Sequence, residues 1–368
     1  MRKVLVLVLM LAMLSTAVFA GGGGDRSGGA IQVDVFWYTF GDTYLTLVRN
    51  AMAAEFAMSD QFRVTHHDCR ESQAMQTQMV QTAITQGSKL LVVNIVTTGS
   101  EEAAMNIVDM ARRANVPIIF FNREVSDAVI RSYANAAFVG TDADEAGYMQ
   151  GEGIAKFLLR PDNWVGNRSR FDLNGDGRIS YVMLRGEHGN AEAFGRTKYA
   201  IEEANRLLQG RLQLVPSPAN QTSTQYENDG ISNFFLYANW SAAEAANLMR
   251  TALAAHSLTN GAIELIVANN DDAALGAIEA MNERGFNTGR AGSGYIPVFG
   301  VDATPVAQEA IRAGRMTSSV LQDAQGMART IVALANNVAA GQNVMHNTGR
   351  FNVDAGVNKV RVPYALFE

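Results

Sequence analysis

From Ile31 onward the chain alternates short apolar, β-branched runs with longer stretches whose apolar residues recur every three or four positions. The runs are IQVDVFWY, FRVTHHD, KLLVVNIV, VPIIFFN, AAFVGTD, ISYVMLRGE, LQLVPS, IELIVANND, IPVFGVD, TSSVLQD and VRVPYALF. Between most of them lie amphipathic segments such as YLTLVRNAMAAEF and AAEAANLMRTALAAH. This alternation predicts parallel sheets with helices on both faces. Unbroken apolar runs fit strands buried on both sides. About eleven strands is large for one doubly wound sheet, so two sheets, hence two lobes, are expected. The least helical stretch, SPANQTSTQYENDGISNFFLYANW, reads as a long irregular loop.

Strand after strand ends in an amide or a carboxylate: Asn122, Asp142, Glu187, Asn270, Asp302 and Asp323. The carboxyl ends of strands form the ligand crevice of open α/β sheets. A crevice lined by such hydrogen-bonding groups matches a neutral ligand rich in hydroxyls.

Composition narrows the partners. The 368 residues are 48% hydrophobic, ample for two cores. Arg2 and Lys3 precede the apolar run VLVLVLMLAML, and STAVFA places small residues before a cut after Ala20. That is the layout of an export signal over residues 1–20, and the run is too short for a spanning helix. The glycine-rich residues 21–30 read as a flexible tether. Formal net charge is −6, and loss of Arg2 and Lys3 would make it −8. With no basic patch, nucleic acid and anionic lipid are poor partners. Cys69 is the only cysteine, so no intrachain disulfide forms.

FDLNGDGRISYV carries a cation-loop pattern. Asp172, Asn174 and Asp176 stand at loop positions one, three and five, with Gly177 at the sharp turn. Arg178 would lend its carbonyl and Ser180 its hydroxyl or a water. Position twelve, normally a bidentate glutamate, is Met183. Glu187, Glu192 and Glu264 are the acids that could replace it, and spacing alone does not choose among them.

The stretch DLNGDGRISYVMLRGE followed by AEAFGRTKYAIEEAN resembles the periplasmic galactose/glucose-binding proteins of bacterial sugar importers. The likeness runs, with gaps, through FFNRE, FVGTDADEAGYMQGE, IELIVANNDDAALGAIEAM, IPVFGVDATP, VLQDA and VRVPY. It implies the α/β fold of a type 1 periplasmic binding protein: two doubly wound parallel-sheet lobes joined by a three-strand hinge. One lobe would comprise 31–141 and 324–360, the other 142–323 and 361–368. It also implies that Glu264, from a distant strand, completes a structural calcium site with Asp172, Asn174, Asp176, Arg178 and Ser180. Ser180 stands where the family has a longer amide.

The family pattern implies a sugar site of Asp42, Tyr44, Asn122, Asn190, Glu192, Arg196, Trp240, Asn270, Asp302 and Gln322. Tyr44 and Trp240 would stack on the two sugar faces and the polar groups would bind the rim. Each residue also has a plainer role. Asp42 could cap the following helix, with Tyr44 exposed at its start. Trp240 could staple against Ala245 ahead of a Ser241–Glu244 capping box. Glu192 and Arg196, spaced i, i+4, could be a surface ion pair. Asp302 is spared capping by Thr304-Pro305, and Asp271 or Asp272 could cap the helix after Asn270. Asn190, Glu192 and Gln322 replace the family's histidine, aspartate and asparagine.

The resemblance implies a monomeric, non-enzymatic periplasmic receptor that hands glucose or galactose to ABC permease subunits, and also serves a chemoreceptor where the cell has one. Ribose or xylose is the alternative ligand. A glycoside hydrolase using Glu192 and Asp302 is the alternative of another class.

Overall fold

The computed structural model describes residues 29–220 and 236–368. The expected leader and most of the tether lie outside them, as does the middle of the expected loop.

The strands form two main sheets. The first runs in the order Asn352–Val353, Lys359–Arg361, Ala136–Gly140, Ile118–Phe121, Leu90–Val93, Ile31–Trp37, Phe62–Asp68. Its pairings are parallel except Asn352–Val353 with Lys359–Arg361. The strands Leu90–Val93, Ile118–Phe121 and Ala136–Gly140 are buried throughout, whereas the edge strand Phe62–Asp68 starts in alternation. Val33, Val35 and Trp37 point to a core shared with helices Thr43–Phe56 and Ala324–Ala339. Phe36 points to the opposite core, under helices Gln73–Thr85 and Glu101–Arg113.

In the second sheet Arg178–Arg185 is followed by Leu265–Ala268, Val298–Asp302, Ser318–Gln322 and Tyr364–Phe367. The last strand is antiparallel. Gln213–Pro216 and Leu236–Tyr237 share the free edge of Arg178–Arg185, each pairing one half of it. The expected irregular loop therefore carries structure at both described ends, a 3₁₀ turn at Pro218–Asn220 and the strand Leu236–Tyr237.

Three links join the lobes. The chain passes from Ala136–Gly140 to helix Ala143–Leu158, from Ser318–Gln322 to helix Ala324–Ala339, and from Lys359–Arg361 to Tyr364–Phe367. VRVPYALF is thus two strands in two sheets, because Pro363 has no N–H for a ladder. Arg361 pairs with Gly140 in the first sheet, so the third crossing falls after Arg361 and not before it.

Helices Ala143–Leu158 and Ala191–Leu208 touch backbone to backbone. A Cβ on Gly147 would lie 2.4 Å from the Gly195 carbonyl oxygen, and one on Gly195 2.6 Å from that of Ala143. Glycine at these positions lets the start of the second helix sit directly on the first interlobe link.

Candidate functional site

Between the carboxyl ends of the two sheets lies a cavity lined by Tyr38, Asp42, Tyr44, Asn122, Arg123, Asn190, Glu192, Arg196, Trp240, Asn270, Asp302 and Gln322. Ten positions expected from the sequence therefore converge on one space. Tyr38 and Arg123 are additions. Their signal was present: Tyr38 directly follows a strand and Arg123 stands two residues past one, where a crevice would be.

Several side chains both shape the backbone and face the cavity. Asp42 Oδ1 accepts the Leu45 N–H (2.7 Å) as helix cap, while Oδ2 accepts from Tyr38 Oη (2.9 Å). Asn190 caps its helix through Ala193 N–H (3.1 Å). Asn270, and not Asp271 or Asp272, caps Asp271–Asn282 through Ala273 N–H (3.1 Å). The amide oxygen lies one residue nearer the strand end, and both carboxylates are engaged elsewhere. Asp271 accepts from Ser319 Oγ and Thr304 N–H, each at 2.6 Å. Thr304 caps Pro305–Arg312 as expected, which frees Asp302.

Tyr44 is not the exposed ring expected at a helix start. It belongs to the first lobe's core with Val33, Trp37 and Met327, is 6% exposed, and its buried hydroxyl has no protein partner. Trp240 does not staple Ala245. Its ring lies over Gly186, where a Cβ would be 2.3 Å from a ring carbon. The expected capping box is half formed: Ser241 Oγ accepts Glu244 N–H, but the Glu244 carboxylate takes the Asn239 amide. Asn122, Trp240 and Asp302 have φ of +61°, +68° and +115°. Left-handed backbone at three non-glycine residues around one cavity is local strain of the kind functional sites hold.

Glu192 and Arg196 are not a surface pair. Both are buried, with Arg196 Nη2 2.9 Å from Glu192 Oε2. Arg196 also donates to the Asn269 carbonyl (2.9 Å) and lies 3.6 Å from Asp302 Oδ1. Burial works against the Arg196 charge, but Tyr364, Glu192 and Asp302 more than offset it. Burial pushes the Asp302 carboxyl well above its ordinary range, with Asp271 and Asp42 adding to the rise and Arg196 opposing it.

Burial, aided by Asp272, pushes Asp271 up to about 7 against its hydrogen bonds from Ser319 and Thr304. A carboxyl raised in the folded state stabilises it below the unfolded pKa, near 4, and that contribution is lost as pH rises through about 7. In Asp271→Asn the amide can still accept from Thr304 N–H and donate to Ser319 Oγ. The decline in stability between pH 4.5 and 8, read as the urea midpoint, is expected to flatten in this variant.

The lobes meet across the cavity mouth. Thr43 Oγ1 donates to Asp272 Oδ2 (2.7 Å), and Arg123 Nη2 reaches Glu187 Oε2 at 2.5 Å. The Arg123 guanidinium also stacks 3.7 Å from the Tyr38 ring centroid. A Cβ on Gly99 would lie 2.6 Å from the Gly189 carbonyl oxygen. This is a closed arrangement.

The cation-like loop lies apart from this cavity. Of the three acids left open by spacing, Glu187 goes to Arg123, Glu192 to Arg196, and Glu264 to the loop. The register Leu265 to Tyr181 sets Glu264 beside Ser180. Its Oε1 accepts Leu173 N–H and its Oε2 Ser180 N–H, each at 2.7 Å. Asp172 accepts from Gly175 (2.6 Å), Asp176 (3.1 Å) and Gly177 (3.0 Å) N–H, and Asp176 Oδ1 from Arg178 N–H (2.8 Å). Among the described residues no three Asp, Glu, His or Cys side chains cluster together, so a cation at the loop would draw part of its shell from amide, carbonyl and hydroxyl oxygens. The donor chemistry, carboxylate, amide, carbonyl and hydroxyl oxygens only, suits a hard cation.

Residues 33–343 match the family model described as periplasmic binding protein domain. The chain is 32% identical over 356 residues to the D-galactose/methyl-galactoside binding periplasmic protein MglB of Haemophilus influenzae, covering 96% of this chain and 95% of that one. It is 24% identical over 277 residues to the ribose import binding protein RbsB of Escherichia coli, covering 75% and 74%. Among solved structures, an ABC transporter solute binding protein from Bacillus halodurans with bound myo-inositol superposes at a TM-score of 0.66. It is 26% identical, over 94% of this chain and 96% of that one.

Proposed function

The chain belongs to the periplasmic binding protein domain family, and from that premise we propose that it captures a monosaccharide, glucose or galactose, between its lobes and delivers it to an ABC importer. The observation that carries this is the interlobe cavity itself. Two aromatic residues from opposite lobes, Tyr44 and Trp240, line it together with a ring of amides, carboxylates and Arg196. Sugars need flat surfaces for their C–H faces and paired donors and acceptors for their hydroxyls. Tyr44 Oη, buried without a protein partner, is one donor held ready.

Hydrogen bonds to charged groups contribute about 1.5–3 kcal/mol each and neutral ones about 1. A few of these with two stacked rings suffice for micromolar affinity, about −8 kcal/mol. A ligand that touches both lobes binds the closed state better than an open one and so drives closure. The closed form is what permease subunits, or a chemoreceptor, would read. Calorimetric titration with glucose, galactose, ribose and xylose tests the reading: micromolar binding of a hexose supports it, and no heat with any of them overturns it.

A specific observation favours a second ligand class. The Asn190 oxygen accepts at its helix cap and both Glu192 oxygens accept from protein donors. Fewer free acceptors on that side suit a sugar or polyol with fewer hydroxyls there. The same fact weighs against hydrolysis, since a Glu192 so engaged cannot serve as one of two catalytic carboxyls.

We also propose that calcium binds at Asp172, Asn174, Asp176, the Arg178 carbonyl, Ser180 and Glu264, as a structural staple of the second lobe. Calcium at a hundred times its dissociation constant is expected to stabilise that lobe by about 2.7 kcal/mol. Chelation should reverse the shift in urea midpoint and Glu264→Gln should abolish it. Identical midpoints with calcium and with chelator would reject the site.

A further inference from the structure

Each of the three interlobe links sends one polar side chain to the same place. Thr141 lies on the first link, Gln322 ends the strand before the second, and Tyr364 follows the third. All three are buried, as are Glu192 and Arg196, which they meet. Thr141 Oγ1 donates to Glu192 Oε1 at 2.8 Å and Tyr364 Oη to Glu192 Oε2 at 2.9 Å. Gln322 Nε2 donates to Thr141 Oγ1 (3.3 Å), and its Oε1 accepts from Arg196 Nη2 (3.1 Å). Arg196 Nη2 also donates to Tyr364 Oη (2.8 Å).

Tyr364 Oη also donates to Thr141 Oγ1 at 2.8 Å, so its one proton is shared between Thr141 and Glu192, and the two protons of Arg196 Nη2 are shared among Glu192, Gln322 and Tyr364. Thr141 is held from the other lobe as well, since its carbonyl accepts from Arg361 Nη1 at 2.7 Å. The first link is therefore gripped by a strand of the first sheet through its backbone and by a helix of the second lobe through its side chain.

We propose that Glu192, Thr141 and Tyr364 form a hinge clasp: positioning residues that fix the angle at which the lobes close and, through Glu192, the place of the Arg196 guanidinium in the cavity. Glu192 is then a device of closure and not the main acceptor for a ligand hydroxyl. The proposal rests on the sugar-clamp reading. A buried hydrogen-bonded network specifies one arrangement of its members, and a clasp on the links makes that arrangement the closed one.

The test uses Tyr364→Phe and Thr141→Val, which keep shape and remove one hydroxyl each. For a sugar shown to bind the unaltered protein, each is expected to weaken binding about tenfold, mainly by faster release. Their combination should lose markedly less than a hundredfold, because both act through one carboxylate. Small-angle scattering at saturating sugar reports closure itself. The variants should remain more expanded than the unaltered protein, which a role in lobe stability alone would not produce. Unaltered affinity and full compaction in either folded variant would overturn the clasp. Absence of sugar binding by the unaltered protein would instead overturn the functional reading beneath it.

Discussion

Arg196→Met is expected to abolish sugar binding and to lower the unfolding free energy by about 3–5 kcal/mol, the cost of removing one partner from a buried ion pair. Methionine roughly fills the space but leaves Glu192 and Asp302 in a dry site without their cation. Glu192 keeps donors from Thr141 and Tyr364, and the already raised Asp302 takes up a proton. The stability loss should therefore be smaller at pH 5 than at pH 8. Urea denaturation at the two pH values, beside calorimetry with the preferred sugar, reads both effects. A variant as stable as the parent at pH 8 would mean that Arg196 is not the counter-charge described.

Trp240→Gly is expected to weaken sugar binding by about 30- to 1,000-fold, the 2–4 kcal/mol of a buried aromatic anchor. Glycine is chosen because Trp240 and the preceding Asn239 both hold left-handed backbone, with φ of +68° and +47°. A ring removed with relief of that strain separates two roles. If Trp240 exists to stack on ligand, affinity collapses while the urea midpoint holds or rises. If it serves packing over Gly186, the midpoint falls and affinity follows it only modestly. The Trp240 carbonyl accepts from the Asn270 amide at 3.0 Å, so the backbone has a fixed anchor in either case.

Much of this molecule was legible before any coordinates. Each β-rich run became a strand, except that VRVPYALF became two, because unbroken apolar runs between amphipathic segments have few other fates in an α/β chain. Of the strand-end amides and carboxylates, Asn122, Asn270 and Asp302 line the crevice for the same topological reason, whereas Asp142 and Asp323 cap helices instead. Individual roles were less legible. Asn190 and Asn270 cap helices with the groups that line the cavity, and a sequence cannot show one side chain doing both. Glu192 and Arg196 have the i, i+4 spacing of an exposed pair. Their burial follows from Gly147 and Gly195, which bring two helices into contact, a distance encoded by the absence of side chains. Tyr44 reads as exposed from its own helix, since the core that buries it is assembled from distant strands and helices of its lobe. Tyr38 and Arg123 went unnoticed because a ring and a guanidinium stacked on each other leave no periodic trace.

The order of segments has a consequence for how the molecule comes into being. The first sheet takes its strand Lys359–Arg361, and that lobe its helix Ala324–Ala339, from the far end of the chain. A growing polypeptide cannot complete that lobe until nearly all of it has been synthesised. Until then the apolar face that Ile31–Trp37 and Ala136–Gly140 turn toward Ala324–Ala339 lacks that part of its covering.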